Sequence, residues 1–142
     1  MEAVHQTRPG VLVSFNWIYT PRQPETPPAE VGFLMCDILP EDQLFAASYL
    51  GKYWATLGKP FDIMDTSFLR WWGDWGFKPA VALQQECATI LANGGKTWIG
   101  FQMPPQFGAE PGRMQVIGET MRFLEQREKY CRDAEPIPYI AV

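Results

Sequence analysis

The sequence has one histidine, His5, in 142 residues, so a catalytic triad built on histidine is not to be expected. Its three cysteines, Cys36, Cys87 and Cys131, are odd in number and widely spaced. They fit neither a CxxC pair nor the spacing of zinc ligands. Cys36 falls in an apolar, strand-like stretch and Cys87 on an apolar helical face, so both read as small hydrophobes of a reducing compartment. With no signal peptide visible in Met1 to Gly10, that reading points to the cytoplasm. There is no dense Lys/Arg run and the net charge is −4, which argues against nucleic acid or an anionic membrane as partner. No apolar stretch reaches the roughly 20 residues of a membrane-spanning helix. No glycine-rich phosphate loop follows the first apolar stretch, which disfavours a flavodoxin-like domain. Nothing in the residues calls for a metal or a cofactor.

What the sequence does have is aromatic side chains, 14% of the total, with six tryptophans. Hydrophobic content of 46% and 20% charged residues otherwise suit an ordinary globular domain, and the length suits one domain with a single core. Arg70-Trp71-Trp72-Gly73-Asp74-Trp75-Gly76 places three indoles, a carboxylate, a guanidinium and two glycines in seven residues. Indole faces beside polar groups suit a sugar ring, whose C–H faces stack on aromatics while its hydroxyls need polar partners. An aromatic plug packed into the protein is the alternative.

Periodicity places strands at residues 11–19, at Val31 to Ile38, at Phe61 to Met64 and at Lys96 to Phe101. Four prolines between Thr20 and Glu30 make that stretch a loop. Helices are expected from about Pro40 to Gly58, from Pro79 to Asn93, and from Pro111 to Lys129. The stripe Ala80, Leu83, Cys87, Ile90 and Leu91 has core-facing spacing, while Glu86 reads as solvated and Trp98 as core. Strands alternating with helices imply an α/β fold with a parallel sheet. In such a sheet ligands bind at the carboxyl ends of the strands. The residues at those ends are Trp17, Asp37, the segment Asp65 to Asp74, and Gln102.

In this order the elements resemble the second half, strands five to eight, of a glycoside hydrolase (β/α)8 barrel. The resemblance is to the family 42 β-galactosidase clan and its hypothetical glycosyl hydrolase 6 relatives. It is carried by Ser14-Phe15-Asn16-Trp17, Cys36-Asp37-Ile38, Gly58-Lys59-Pro60-Phe61-Asp62-Ile63-Met64-Asp65, the Trp-Gly-Asp-Trp core with Lys78-Pro79, and Leu91 to Gln102. It implies a partial barrel over residues 1–135 of about four βα units. Residues 136–142 would begin a following strand or domain, like the trimerisation domain of that clan. It also implies hydrolysis of O-glycosyl bonds in the intact protein by two carboxyl groups. Asp65 matches the position of the nucleophilic glutamate, and the acid/base would come from a strand this chain lacks.

The expected substrate-binding residues are Trp17, Asp37, Arg70, Trp71, Trp72, Asp74, Trp75 and Gln102. Each has a structural alternative: Asp65 and Asp37 as caps of the following segments, Asp74 as an ion pair with Arg70, and some of the tryptophans as packing. The partner would be a carbohydrate. A half-barrel exposes sheet edges, so dimerisation or completion by a missing N-terminal half is expected. A carbohydrate-binding or assembly module without catalysis is the rival reading.

Overall fold

The computed structural model describes residues 1–38, 45–105, 108–134 and 137. A short helix α1 (Glu2–Thr7) precedes three βα units: β1 (Leu34–Asp37), α2 (Ala46–Ala55), β2 (Phe61–Thr66), α3 (Ala80–Ala92), β3 (Lys96–Gly100) and α4 (Pro111–Cys131). The strands lie parallel in the order β1-β2-β3. This is the α/β arrangement of a partial TIM-barrel-like unit. The expected helix start at Pro40 and all of the expected terminal strand except Ile137, which is exposed, lie outside the described residues.

The stretch expected as a strand at 11–19 is not one. It runs parallel to β1 through a single bridge, Asn16 to Met35, with Gly32 donating to the Val13 carbonyl at 2.8 Å and Trp17 to the Met35 carbonyl at 3.2 Å. Trp17 and Tyr19 have φ of 67° and 63°, left-handed values that aromatic residues rarely adopt and that break the strand. The buried Trp54 indole donates to the Tyr19 carbonyl at 2.6 Å and holds the turn in place.

Side chains alternate across each strand. Phe61, Ile63 and Asp65 face the helices, where Phe61 and Ile63 join Leu34, Cys36, Trp54 and Ile90 in the core. Asp62, Met64 and Thr66 face the other way, beside Met35 and Asp37 of β1 and Lys96, Trp98 and Gly100 of β3. On that inner face Met64 and Thr66 are buried, while Trp98, expected in the core, is 42% exposed.

Helix α3 begins after Pro79, which holds its own φ at −66°. It ends where Gly94 and Gly95 donate to the Leu91 and Ile90 carbonyls. Gly95 is also a point of close approach, since a Cβ there would sit 2.3 Å from Phe61 Cε2 and 3.0 Å from Ile90 Cγ2. Gly95→Ala should therefore cost about 1–3 kcal/mol by overpacking. A urea midpoint identical to wild type would show that the core yields there.

Candidate functional site

Three groups of residues gather at the carboxyl end of the sheet. The first is the loop between β2 and α3. Its stems are tied together where Lys78 N–H donates to the Ser67 carbonyl at 2.8 Å and Phe68 bridges Phe77. Ser67 in turn binds the Gly100 carbonyl through its N–H and its hydroxyl, so the loop base is fixed to β3. At the tip, Gly73 takes a φ of 102° that only glycine adopts readily, and its N–H donates to Gln102 Oε1. Gln102 Nε2 donates to the Asp74 carbonyl at 3.3 Å, and Arg113 of α4 donates to the Trp75 carbonyl at 3.0 Å.

Held this way, Trp71, Trp72 and Trp75 remain 51%, 58% and 47% exposed. Trp72 also packs on the buried Phe68 ring, 4.7 Å between centroids. The aromatic plug is thus not what this loop forms. Asp74 accepts from the Gly76 N–H at 2.8 Å, and the expected ion pair with Arg70, which is exposed, does not form.

The second group lies at the end of β1. A cavity of about 220 Å³ is lined by Trp17, Arg22, Asp37, Phe45, Tyr49 and other residues of α2. The Asp37 carboxyl is raised above its usual range, by burial first, against hydrogen bonds from the Asn16 and Trp17 side chains. Trp17 and Asp37 are therefore brought together, as the sequence placed them, but they act on one another as well as facing the cavity.

The third group is buried. Lys78, 1% exposed, sets its Nζ 2.8 Å from Asp65 Oδ1 and 2.6 Å from Glu86 Oε2. Cys87 Sγ lies 3.6 Å from Asp65 Oδ2. The Asp65 side chain is 0% exposed and turns toward α3 rather than to the inner face. Its carboxyl is pushed up to about 8, by burial first, then by a hydrogen bond and charge from Glu86, against the pull of the Lys78 ammonium. The alternative role of Asp65 as a loop cap is not what its oxygens do.

Lys78 and Glu86 are the residues that sequence reasoning missed. Leu83, Glu86, Cys87 and Ile90 follow one helical stripe, so the spacing contained the signal that Glu86 is buried and in need of a cation. The Cys36 and Cys87 thiols are pushed up to about 12, chiefly by burial, which leaves them inert as nucleophiles. Among the described residues no group of three or more His, Cys, Asp or Glu side chains could hold a metal ion. Thr66 Oγ1, at the end of β2 on the inner face, has no hydrogen-bond partner.

No protein-family model matches this chain, and no curated protein matches it. Among solved structures, alpha-L-fucosidase isoenzyme 2 from Paenibacillus thiaminolyticus is similar to it over 96% of its length, with a TM-score of 0.79 and 27% identity. The chain spans 21% of that enzyme's length. The likeness does not reach family 42, but it supports the coarser assignment: the chain has the fold of a segment of a glycoside hydrolase barrel.

Proposed function

We propose that this chain supplies one wall of a carbohydrate site in a glycoside-hydrolase-like protein, with the Trp71–Trp75 loop as the platform for a sugar ring. The observation that carries this reading is the loop itself. Three indoles stand in solvent at the carboxyl end of a parallel sheet, yet their backbone is braced by Gln102 and Arg113. Exposed apolar groups on a prearranged backbone suit a ligand, because little ordering entropy is lost when it docks. Asp37, at the end of β1 beside the cavity, is suited to sugar hydroxyls. The solved neighbour's name makes an α-L-fucoside the first substrate to try.

In the intact protein the site would serve O-glycosyl hydrolysis by two carboxyl groups. The burial of Asp65 against Lys78 favours, for this chain alone, binding without hydrolysis. L-fucose, D-galactose and D-glucose, titrated while tryptophan emission is followed, should give saturable binding for at least one sugar. Trp71→Ala and Trp75→Ala should each weaken it about tenfold, or ~1.4 kcal/mol. Absence of saturable binding to every sugar, or full affinity in both variants, would sink the proposal. Aryl glycoside assays on the same samples separate binding from turnover.

A further inference from the structure

We propose, resting on the sugar-platform reading of the tryptophan loop, that its ligand is an acidic glycan, in which the ring held on the indoles carries a carboxylate or a sulfate bound by Arg70. A sugar hydroxyl both donates and accepts, so a site for a neutral sugar needs acceptors as well as donors. In this loop many of the acceptors are already engaged. Gln102 Oε1 accepts from the Gly73 N–H and Asp74 Oδ1 from the Gly76 N–H. The carbonyls of Trp71, Asp74 and Trp75 accept from the Asp74 N–H, from Gln102 and from Arg113. Gln102, expected from the sequence as a sugar contact, thus has both ends of its amide on the loop's own backbone. The side-chain donors are left over. The Arg70 guanidinium and the Nε1–H groups of Trp71, Trp72 and Trp75 are on exposed residues and have no hydrogen-bond partner among the described residues.

The charges sort in the same way. From Phe68 to Lys78 the charged side chains are Arg70, Asp74 and Lys78. Lys78 is buried against Asp65 and Glu86, and Arg113, which reaches the loop from α4, pairs with Glu110 at 2.8 Å. Asp74 is half-buried, and one of its oxygens closes the turn at Gly76. Arg70 is exposed, adjoins Trp71 in the chain, and forms no ion pair among the described residues. Its planar fork matches a carboxylate or a sulfate, whose anionic oxygens only accept. The C–H face of the ring stacks on an indole while its charged edge meets the fork. The net charge of −4 opposes this, since it repels anions in general. A preference for an acidic sugar must therefore be local to Arg70, and it must weaken with salt. One glycan can carry both an acidic ring on the platform and a fucosyl unit beyond it.

The test compares D-galactose with D-galacturonate and D-galactose 6-sulfate, and D-glucose with D-glucuronate, titrated on the full chain at pH 7 while tryptophan emission is followed. At least one charged sugar should bind about fivefold more tightly than its neutral parent, the upper end for one exposed ion pair. Preference for a uronate assigns a carboxylate, and preference for the sulfate ester a sulfate. Raising NaCl from about 20 mM to about 500 mM should erase most of the preference. Arg70→Lys should keep part of it, whereas Arg70→Gln, at an exposed position, should bring the ratio of charged to neutral affinity to about one. Neutral sugars bound as tightly as every charged one would overturn the acidic ligand and leave the platform standing. A preference that survives in Arg70→Gln, or in high salt, would overturn it as well, because the charge would then be read elsewhere. If no sugar binds, neutral or charged, the platform itself falls and the acidic ligand with it.

Discussion

Replacing Lys78 with methionine is expected to destabilise the fold by about 3–5 kcal/mol at neutral pH, the usual cost of removing one partner from a buried ion cluster. That is a large share of the 5–15 kcal/mol by which domains are stable. The cost arises because the Lys78 ammonium is the sole cation in hydrogen-bonding contact with both Asp65 and Glu86 among the described residues. Without it, any carboxylate charge that the ammonium offset is left in a site that water scarcely reaches, and it must take up a proton. Acid should therefore partly rescue Lys78→Met, with the gap to wild type narrowing between pH 7 and pH 5 in urea melts. A gap that is constant with pH would mean that the loss is one of packing and not of charge.

The same variant speaks to the site, because Lys78 ends the tryptophan loop and ties it to both β2 and α3. Lys78→Arg would keep the charge but bring a planar fork into a space shaped for an ammonium. It should be intermediate in stability.

How much of this was readable from the residues depends on what fixed each feature. Strands β2 and β3 and helices α3 and α4 were legible because local chemistry sets their bounds: Gly58 before β2, Pro79 before α3, Gly94 after it, and Pro111 in the first turn of α4. The segment at 11–19 was misread because its composition suits a strand. What breaks it is the left-handed backbone at Trp17 and Tyr19, held by a hydrogen bond from Trp54, 35 residues further along the chain. Trp98 was misplaced for another reason. Alternation along β3 sets which face a residue occupies, but not how much of that face is covered: Met64, beside Trp98, is buried while Trp98 is 42% exposed.

The candidate site divides in the same way. That the tryptophan loop, Trp17 and Asp37 share one end of the sheet followed from order along a parallel sheet, whereas the exposure of all three indoles and the bond between Trp17 and Asp37 did not. The turning of Asp65 toward the helices is a matter of strand parity, and a single residue reverses it.

That reversal governs the most discriminating pH experiment. A group whose carboxyl rises from 3.8 to about 8 on folding binds its proton more tightly in the native state than in the unfolded chain. It therefore adds most to stability below its unfolded pKa, and that contribution is lost as the pH rises through about 8. Between those limits the slope approaches about 1.4 kcal/mol per pH unit for one proton. Asp37 and Asp62 are also raised by burial and add the same sign, so the difference between wild type and a variant is the readout.

Asp65→Asn resembles the protonated form. Near pH 4 it should come closest to wild type, and the gap should open in its favour by about 1.4 kcal/mol per pH unit up to about pH 8. An ionised nucleophile paired with Lys78 predicts the reverse, with a heavy loss in Asp65→Asn at neutrality and a wild type that gains stability with pH. The chemistry follows the same sign, since only the ionised carboxylate can attack an anomeric carbon. Any turnover that depends on Asp65 should climb through pH 8, whereas turnover that is flat with pH and survives in Asp65→Asn would assign the reaction to another carboxylate.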